Sequence, residues 1–268
     1  TIPTAANYCQ TGLVYTGSSQ TIVKTAGTGY TWTAGTTRTD AGSQNVTATL
    51  DSTTPYIWSD NATGTKTISC SIGQKDIQVT RGNYNAAYDG SAHGITLTVT
   101  EPTSGTTIYY KEGTALTSSN YSTTGSTTNP TYTNVTSAKT IYWYVHTTNE
   151  NYKDVSGSNT VTISNATFTS LTAKITGVNK VGSELTATPT ASPTADSYTY
   201  QWWTSTSASA TSGTNISGAT SNKYTLTANE AGKYVGVTIT AKKANYTDKT
   251  ATDITDATNN TIAKTAKV

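Results

Sequence analysis

Apolar and polar side chains alternate along most of this chain. Tyr30 and Trp32 share one face of a segment. Ile141, Trp143 and Val145 share one face of a second, with Tyr142, Tyr144 and His146 opposite them. Tyr198, Tyr200 and Trp202 share a face of a third. A period of two is that of a β-strand, whose successive side chains point to opposite sides of the sheet. No segment sustains a helical period beyond about two turns, and turn residues recur roughly every 8–12 positions. The pattern predicts an all-β chain of short strands.

The strands recur in three groups. Tyr15-Thr16-Gly17-Ser18 and Tyr88-Asp89-Gly90-Ser91 each precede a strand, and the glycine suits a tight bend. Turns at Thr39-Asp40-Ala41-Gly42, Thr133-Asn134-Val135-Thr136 and Asn229-Glu230-Ala231-Gly232 are each followed by a long strand. Aromatic turns come next, at Pro55-Tyr56, Asn151-Tyr152 and Asn245-Tyr246. Closing strands end the first two groups at Lys66–Ser69 and Thr160–Ser164, and the third closes near Asn260–Ala263. Boundaries near 73 and 164 give three units, 1–73, 74–164 and 165–268, of a size that suits an immunoglobulin-like sandwich.

Composition supports this reading. Thr makes up about a quarter of the 268 residues, and its branched side chain suits a half-exposed pleated surface. Five Trp and 18 Tyr supply core volume, against one Phe and no Met. Burying each large ring removes roughly 150–250 Å² from water, which at about 25 cal/mol/Å² is some 4–6 kcal/mol before entropy. Charged residues are 12% of the chain and the formal net charge is +2, which gives no electrostatic footprint for nucleic acid. No run approaches the ~18 apolar residues of a membrane span. The first residue is Thr, and neither a leader nor a wall-sorting signal is visible, so the chain is expected to be a piece of something longer.

Trp32, Trp143 and Trp202 are the expected centres of three cores. Glu230-Ala231-Gly232-Lys233-Tyr234 has the spacing of a tyrosine corner, in which the Tyr234 hydroxyl would bond back to the main chain. Gly236 stands where an immunoglobulin domain has its second cysteine.

The Tyr15 and Tyr88 motifs, Asp40-Ala41-Gly42-Ser43, and Tyr56-x-Trp58-Ser59-Asp60 through Ile68-Ser69 resemble the bacterial immunoglobulin-like repeats called MBG or YDG domains. Val181-Gly182, Tyr200-Gln201-Trp202, Gly218-Ala219-Thr220 and Gly232-Lys233-Tyr234 resemble another bacterial immunoglobulin-like type found beside them. The resemblance implies three tandem immunoglobulin-like β-sandwich domains in an elongated array, within a large secreted or cell-wall surface protein. The second unit departs from the pattern with Val135-Thr136-Ser137 at its turn, and the pattern has no counterpart of Cys9 or Cys70.

Cys9 and Cys70 are the two cysteines, near the two ends of the first unit. A disulfide between them would close a loop of about 60 residues, worth roughly 4 kcal/mol. Free thiols or another cross-link through one sulfur are the alternatives. His93 and His146 have no nucleophile motif around them, and two His with two distant Cys do not make a zinc site. The acidic residues form no Asp-x-Asp-x-Asp run, although Asp253 and Asp256 lie close and calcium at a domain junction stays open. Buried Lys–Asn isopeptide bonds also stay open. Trp203, Tyr142 and Tyr144 are candidate ligand-facing aromatics, able to stack on sugar rings if exposed.

These observations describe a non-enzymatic chain without a cofactor. Its expected role is an extracellular stalk of a bacterial surface protein. One alternative is a filament subunit that pairs with identical subunits by strand addition through Thr1–Tyr8 or Thr261–Val268. Another is an adhesin that binds protein or glycan through exposed aromatics.

Overall fold

The computed structural model describes residues 8–52 and 56–255. It divides into two compact units, one of Thr1–Tyr84, His93–Tyr132 and Ala138–Val161, the other of Asn85–Ala92, Thr133–Ser137 and Thr162–Val268. Regular structure is almost entirely β-strand. The one α-helix among the described residues is a single turn, Tyr121–Thr124. The all-β expectation holds, and the sandwich architecture follows from the strand pairings.

In the first unit, strands Tyr30–Ala34, Gly42–Leu50 and Thr65–Ile72 form an antiparallel sheet, with Val46 opposite Ile68. Every second residue points inward: Val46, Ala48, Ile68, Cys70 and Ile72 are buried. Cys9 is joined to Cys70 by a disulfide with Cα atoms 5.4 Å apart. It ties the opening segment to the closing strand.

The centre of this core corrects one expectation. Trp32 shares a face with Tyr30, but it is only partly buried and packs at the core's margin. The pairing register shifts between Trp32 and Ala34, and the indole N–H donates to the Lys24 carbonyl at 2.8 Å. Trp58, which lies outside any extended strand, is fully buried in its place and donates to the Gly64 carbonyl. Tyr8 presents edge contacts to Tyr30, Trp32 and Trp58 at 5.3–6.2 Å between centroids.

Further along the same unit, Gln78–Gly82 pairs with Thr96–Glu101, and Thr106–Glu112 pairs with Thr136–Thr147 along residues 141–147. Ile141, Trp143 and Val145 are buried. The Trp143 indole N–H donates to Asn159 Oδ1 at 3.0 Å, and the Arg81 guanidinium sits 5.5 Å from the ring. Gly157 lies directly against the Trp143 ring, where a Cβ would collide with it.

The second unit contains a complete sandwich. One sheet holds Ser170–Thr176, Glu184–Ser192 and Lys223–Thr225. The other has the order Thr214–Asn215, Ser197–Ser205, Tyr234–Lys242, Lys249–Ile254. Leu185 and Ala187 of the first sheet pack with Trp202, Val235, Val237 and Ile239 of the second. Tyr198 and Tyr200 flank this core on the Trp202 face. Tyr234 is buried, but the turn before it is tied by Glu230 instead of a bond from the Tyr234 hydroxyl: the Glu230 carboxylate accepts from the backbone N–H and the hydroxyl of Thr227 at 2.8 and 2.7 Å. Gly236 faces away from Trp202, so the position does not correspond to a core cysteine: its pairing partner is Trp203, on the opposite side of the sheet. The last described strand ends at Ile254. The closure expected at Asn260–Ala263, Asp256, and all but Tyr8 of the two proposed strand-donating tails lie outside the described residues.

Candidate functional site

The aromatic residues expected to meet a ligand are mostly covered. Trp203 is 1% exposed. Its ring lies across the bare backbone of Gly236, with Gly213 from the following loop against its other edge, and its N–H donates to Thr238 Oγ1 at 3.1 Å. Tyr144 is buried as well, and Tyr142 is half-buried. These rings leave little face free for stacking on a sugar.

Tyr144 belongs to a polar cluster of the first unit. Asp154 accepts from the Tyr144 hydroxyl, from His146 Nδ1 and from the Thr147 backbone N–H, all at 2.9 Å. Tyr121 stacks on Tyr144 at 4.6 Å and on His146 at 5.0 Å. Burial and the bond to Asp154 push the Tyr144 hydroxyl up to about 12. An open hollow of about 460 Å³ lies beside His146 and Asp154. The carboxylate is engaged by three donors from strand residues 144–147, and the cluster braces the strand end. His93 stacks on Tyr84 at 4.0 Å. Among the described residues no three His, Cys, Asp or Glu side chains gather as a metal site, and no helix is long and apolar enough to cross a membrane. Asp253 receives the Ile175 backbone N–H at 2.6 Å.

The most specific arrangement occurs twice, once within each unit. Asn151 stands in a turn closed by the Tyr152 N–H on the Asn149 carbonyl, and its own carbonyl accepts from Lys75 N–H at 2.9 Å. Its side chain reaches back 110 residues. Oδ1 accepts from the Ala41 backbone N–H at 2.7 Å, and Nδ2 donates to Asp40 Oδ1 at 2.9 Å. Tyr152 meets the Tyr15 ring edge-on at 5.4 Å, and the Tyr15 N–H in turn donates to the Gly73 carbonyl.

The second unit repeats every element. Asn245 stands in a turn closed by the Tyr246 N–H on the Lys243 carbonyl, and its own carbonyl accepts from Ala166 N–H at 2.9 Å. Oδ1 accepts from Val135 N–H at 2.9 Å, and Nδ2 donates to Asn134 Oδ1 at 3.0 Å. Tyr246 meets Tyr88 edge-on at 6.0 Å, and Tyr88 N–H donates to the Ser164 carbonyl. Asn245 adopts φ 64°, a left-handed conformation that asparagine tolerates better than most residues. In both places a short parallel ladder backs the turn, Tyr152–Lys153 on Lys75–Asp76 and Tyr246–Thr247 on Ala166–Thr167.

The sequence had marked both aromatic turns, both Tyr-x-Gly-Ser motifs and both receiving turns, but had not joined them. A signal was present: Asp40 precedes Asn151 and Asn134 precedes Asn245 by the same 111 positions.

No family model matches the chain, and no curated protein matches it. Among solved structures, titin domains A168–A170 align at 12% identity over 97% of this chain and 98% of that chain, with a TM-score of 0.28. Sidekick-1 immunoglobulin domains 1–4 align at 13% identity over 80% of this chain and 57% of theirs, with a TM-score of 0.26. The FN1–FN3 domains of chicken CNTN1 align at 8% identity over 85% and 98%, with a TM-score of 0.21. At such scores the likeness carries no argument, and the fold assignment rests on the pairings described above.

Proposed function

We propose that this chain is a non-catalytic spacer of an extracellular protein, built of three immunoglobulin-like domains with boundaries near residues 73 and 164. The observation that carries the reading is the repeated Asn–Tyr joint. On these boundaries, each joint fastens a late asparagine–tyrosine turn of one domain, itself bonded to that domain's opening residue, to the turn and tyrosine of the domain before it. A chain that commits matching side chains to two successive joints is built to hold domains in sequence. Binding or chemistry then belongs to whatever the spacer presents, and its partners are proteins or glycans at a cell surface.

The Cys9–Cys70 disulfide supports an oxidising, extracellular setting. The MBG/YDG-like motifs support a bacterial surface protein as the parent, and the Tyr15 and Tyr88 of those motifs are the rings used in the joints. Burial of Trp203 and Tyr144 weighs against an aromatic glycan platform.

Small-angle X-ray scattering on the whole chain tests the reading. An extended particle with the length of three sandwiches in line is expected, and a compact globule would contradict it.

A further inference from the structure

We propose that the two joints are selective recognition elements, and that the charge of the receiving side chain sets which donor each one accepts. The inference rests on the three-domain reading above and assigns to Asn151 and Asn245 the role of positioning residues.

The geometry requires an amide at the donor position. One side-chain atom must accept from a backbone N–H, that of Ala41 or Val135. The other must donate to an oxygen, that of Asp40 or Asn134. Asparagine offers both functions on one rigid plane, with an acceptor oxygen and an NH₂ donor. Its own backbone carbonyl is fixed by Lys75 or Ala166, so the plane is aimed before the receiving turn is met. Aspartate would keep the first bond and lose the second.

The loss has different consequences in the two places. At the first joint the receiving group is the Asp40 carboxylate, and it has no donor to offer. An aspartate at 151 would set two carboxylates at hydrogen-bond distance, where like charges repel. At about 3 Å in a watery environment the repulsion corresponds to a factor of about ten in equilibrium, and salt screens it. At the second joint the receiving group is the Asn134 amide. It is exposed, and rotation by half a turn presents its NH₂ to an aspartate at 245. The bond is then restored with the donor and acceptor exchanged. The partner that fits the Asp40 turn is therefore an Asn–Tyr turn with a neutral amide, whereas the Asn134 turn accepts an amide or a carboxylate.

The test uses the full chain with Asn151→Asp, Asn245→Asp, and the double variant Asp40→Asn/Asn151→Asp. Amide hydrogen exchange is read at Ala41 and Val135 at low and high salt. Asn151→Asp should speed exchange at Ala41 about tenfold at low salt and less at high salt, leaving Val135 unchanged. Asn245→Asp should change Val135 much less, and Asp40→Asn should restore protection at Ala41 in the double variant. Asn151→Ala and Asn245→Ala remove both bonds and should expose each amide to a similar degree. Equal effects of the two aspartate variants, or no rescue by Asp40→Asn, would overturn the proposal. Scattering on the same samples separates the outcomes: an extended wild-type particle with no charge selectivity sinks the recognition rule and leaves the spacer, whereas a compact wild-type particle sinks the spacer itself.

Discussion

The Asn151 joint and the Asn245 joint share their hydrogen bonds and differ in their surroundings. At Asn151 the setting is charged: Asp40 receives the amide, and the Tyr152 hydroxyl donates to Glu101, which is paired with Lys75. At Asn245 the receiver is an amide, and Tyr246 lies against Phe168 at 5.4 Å as well as against Tyr88. The Asn245 turn also carries an ion pair, Lys243 with Asp196, and Asp196 accepts from the Ala244 backbone N–H. The two surroundings thus differ in the receiving group and the ring packing while supporting one pattern of backbone and side-chain bonds. The comparison teaches that the pattern, common to both, defines the joint, while charge and aromatic packing tune each copy separately.

The largest perturbation tests whether a joint is independent of the sandwich behind it. Gly236→Ala drives a Cβ into the Trp203 ring. Overpacking of this kind costs about 1–3 kcal/mol, so the denaturation midpoint should fall. The Val135 amide should nevertheless keep its protection in the folded protein. Loss of that protection would mean that the Asn245 joint only reports on core packing.

A smaller effect compares the ring pairs. Tyr15→Ala and Tyr88→Ala each remove one edge-to-face contact, worth about 0.5–1.5 kcal/mol. Double-mutant cycles with Tyr152 and Tyr246 should return coupling of the same sign in both joints. Coupling at one joint alone would break the equivalence.

The smallest effect is in pH, and it should separate the two. The hydrogen bond from Lys75, and then that from Tyr152, hold the Glu101 carboxyl below its usual range. The bond to Glu101 pushes the Tyr152 hydroxyl up to about 12. A carboxyl with a depressed folded pKa stabilises above its ordinary pKa, and the contribution is lost as pH falls through the folded value. A phenol with a raised pKa stabilises below about 10, and that contribution is lost as pH rises toward 12. Exchange at Ala41 should therefore quicken relative to Val135 as pH rises toward 12, whereas in acid each joint loses a carboxylate of its own, Glu101 at one and Asp196 beside the other. Glu101 is more than a third exposed, so its contribution should be slight and should shrink in salt, whereas the Tyr152 ring is buried. Parallel profiles of the two amides on the alkaline side would remove the Tyr152–Glu101 bond from the account.

Much of the fold was legible because strands write their burial into a period of two. Ile141–Val145 and Tyr198–Trp202 read correctly for that reason. Trp58 did not, because it sits outside any extended strand and its burial depends on residues brought in from Tyr8, Tyr30 and Ile68. Trp203 failed in a different way. Alternation placed it on the face opposite Trp202, which it occupies, but that face is not open to water at this point: a glycine on the neighbouring strand and another in the loop let the ring lie flat and covered. The joints were half legible. Their pieces stood out as repeated turns, yet each bond spans about 110 residues, and local periodicity says nothing about partners at that distance. Equal spacing between repeats carried the missing information.

Amide hydrogen exchange at Ala41 and Val135 in the intact wild-type chain tests the central claim most directly. Both residues lie outside the strands, and the bond from each backbone N–H goes to an asparagine side chain about 110 positions later. The account predicts that both amides exchange at least about tenfold more slowly than in an unfolded chain, and that each loses this protection when its own asparagine becomes alanine. Exchange at the unfolded rate at either position, or protection that survives the loss of the asparagine, would contradict it.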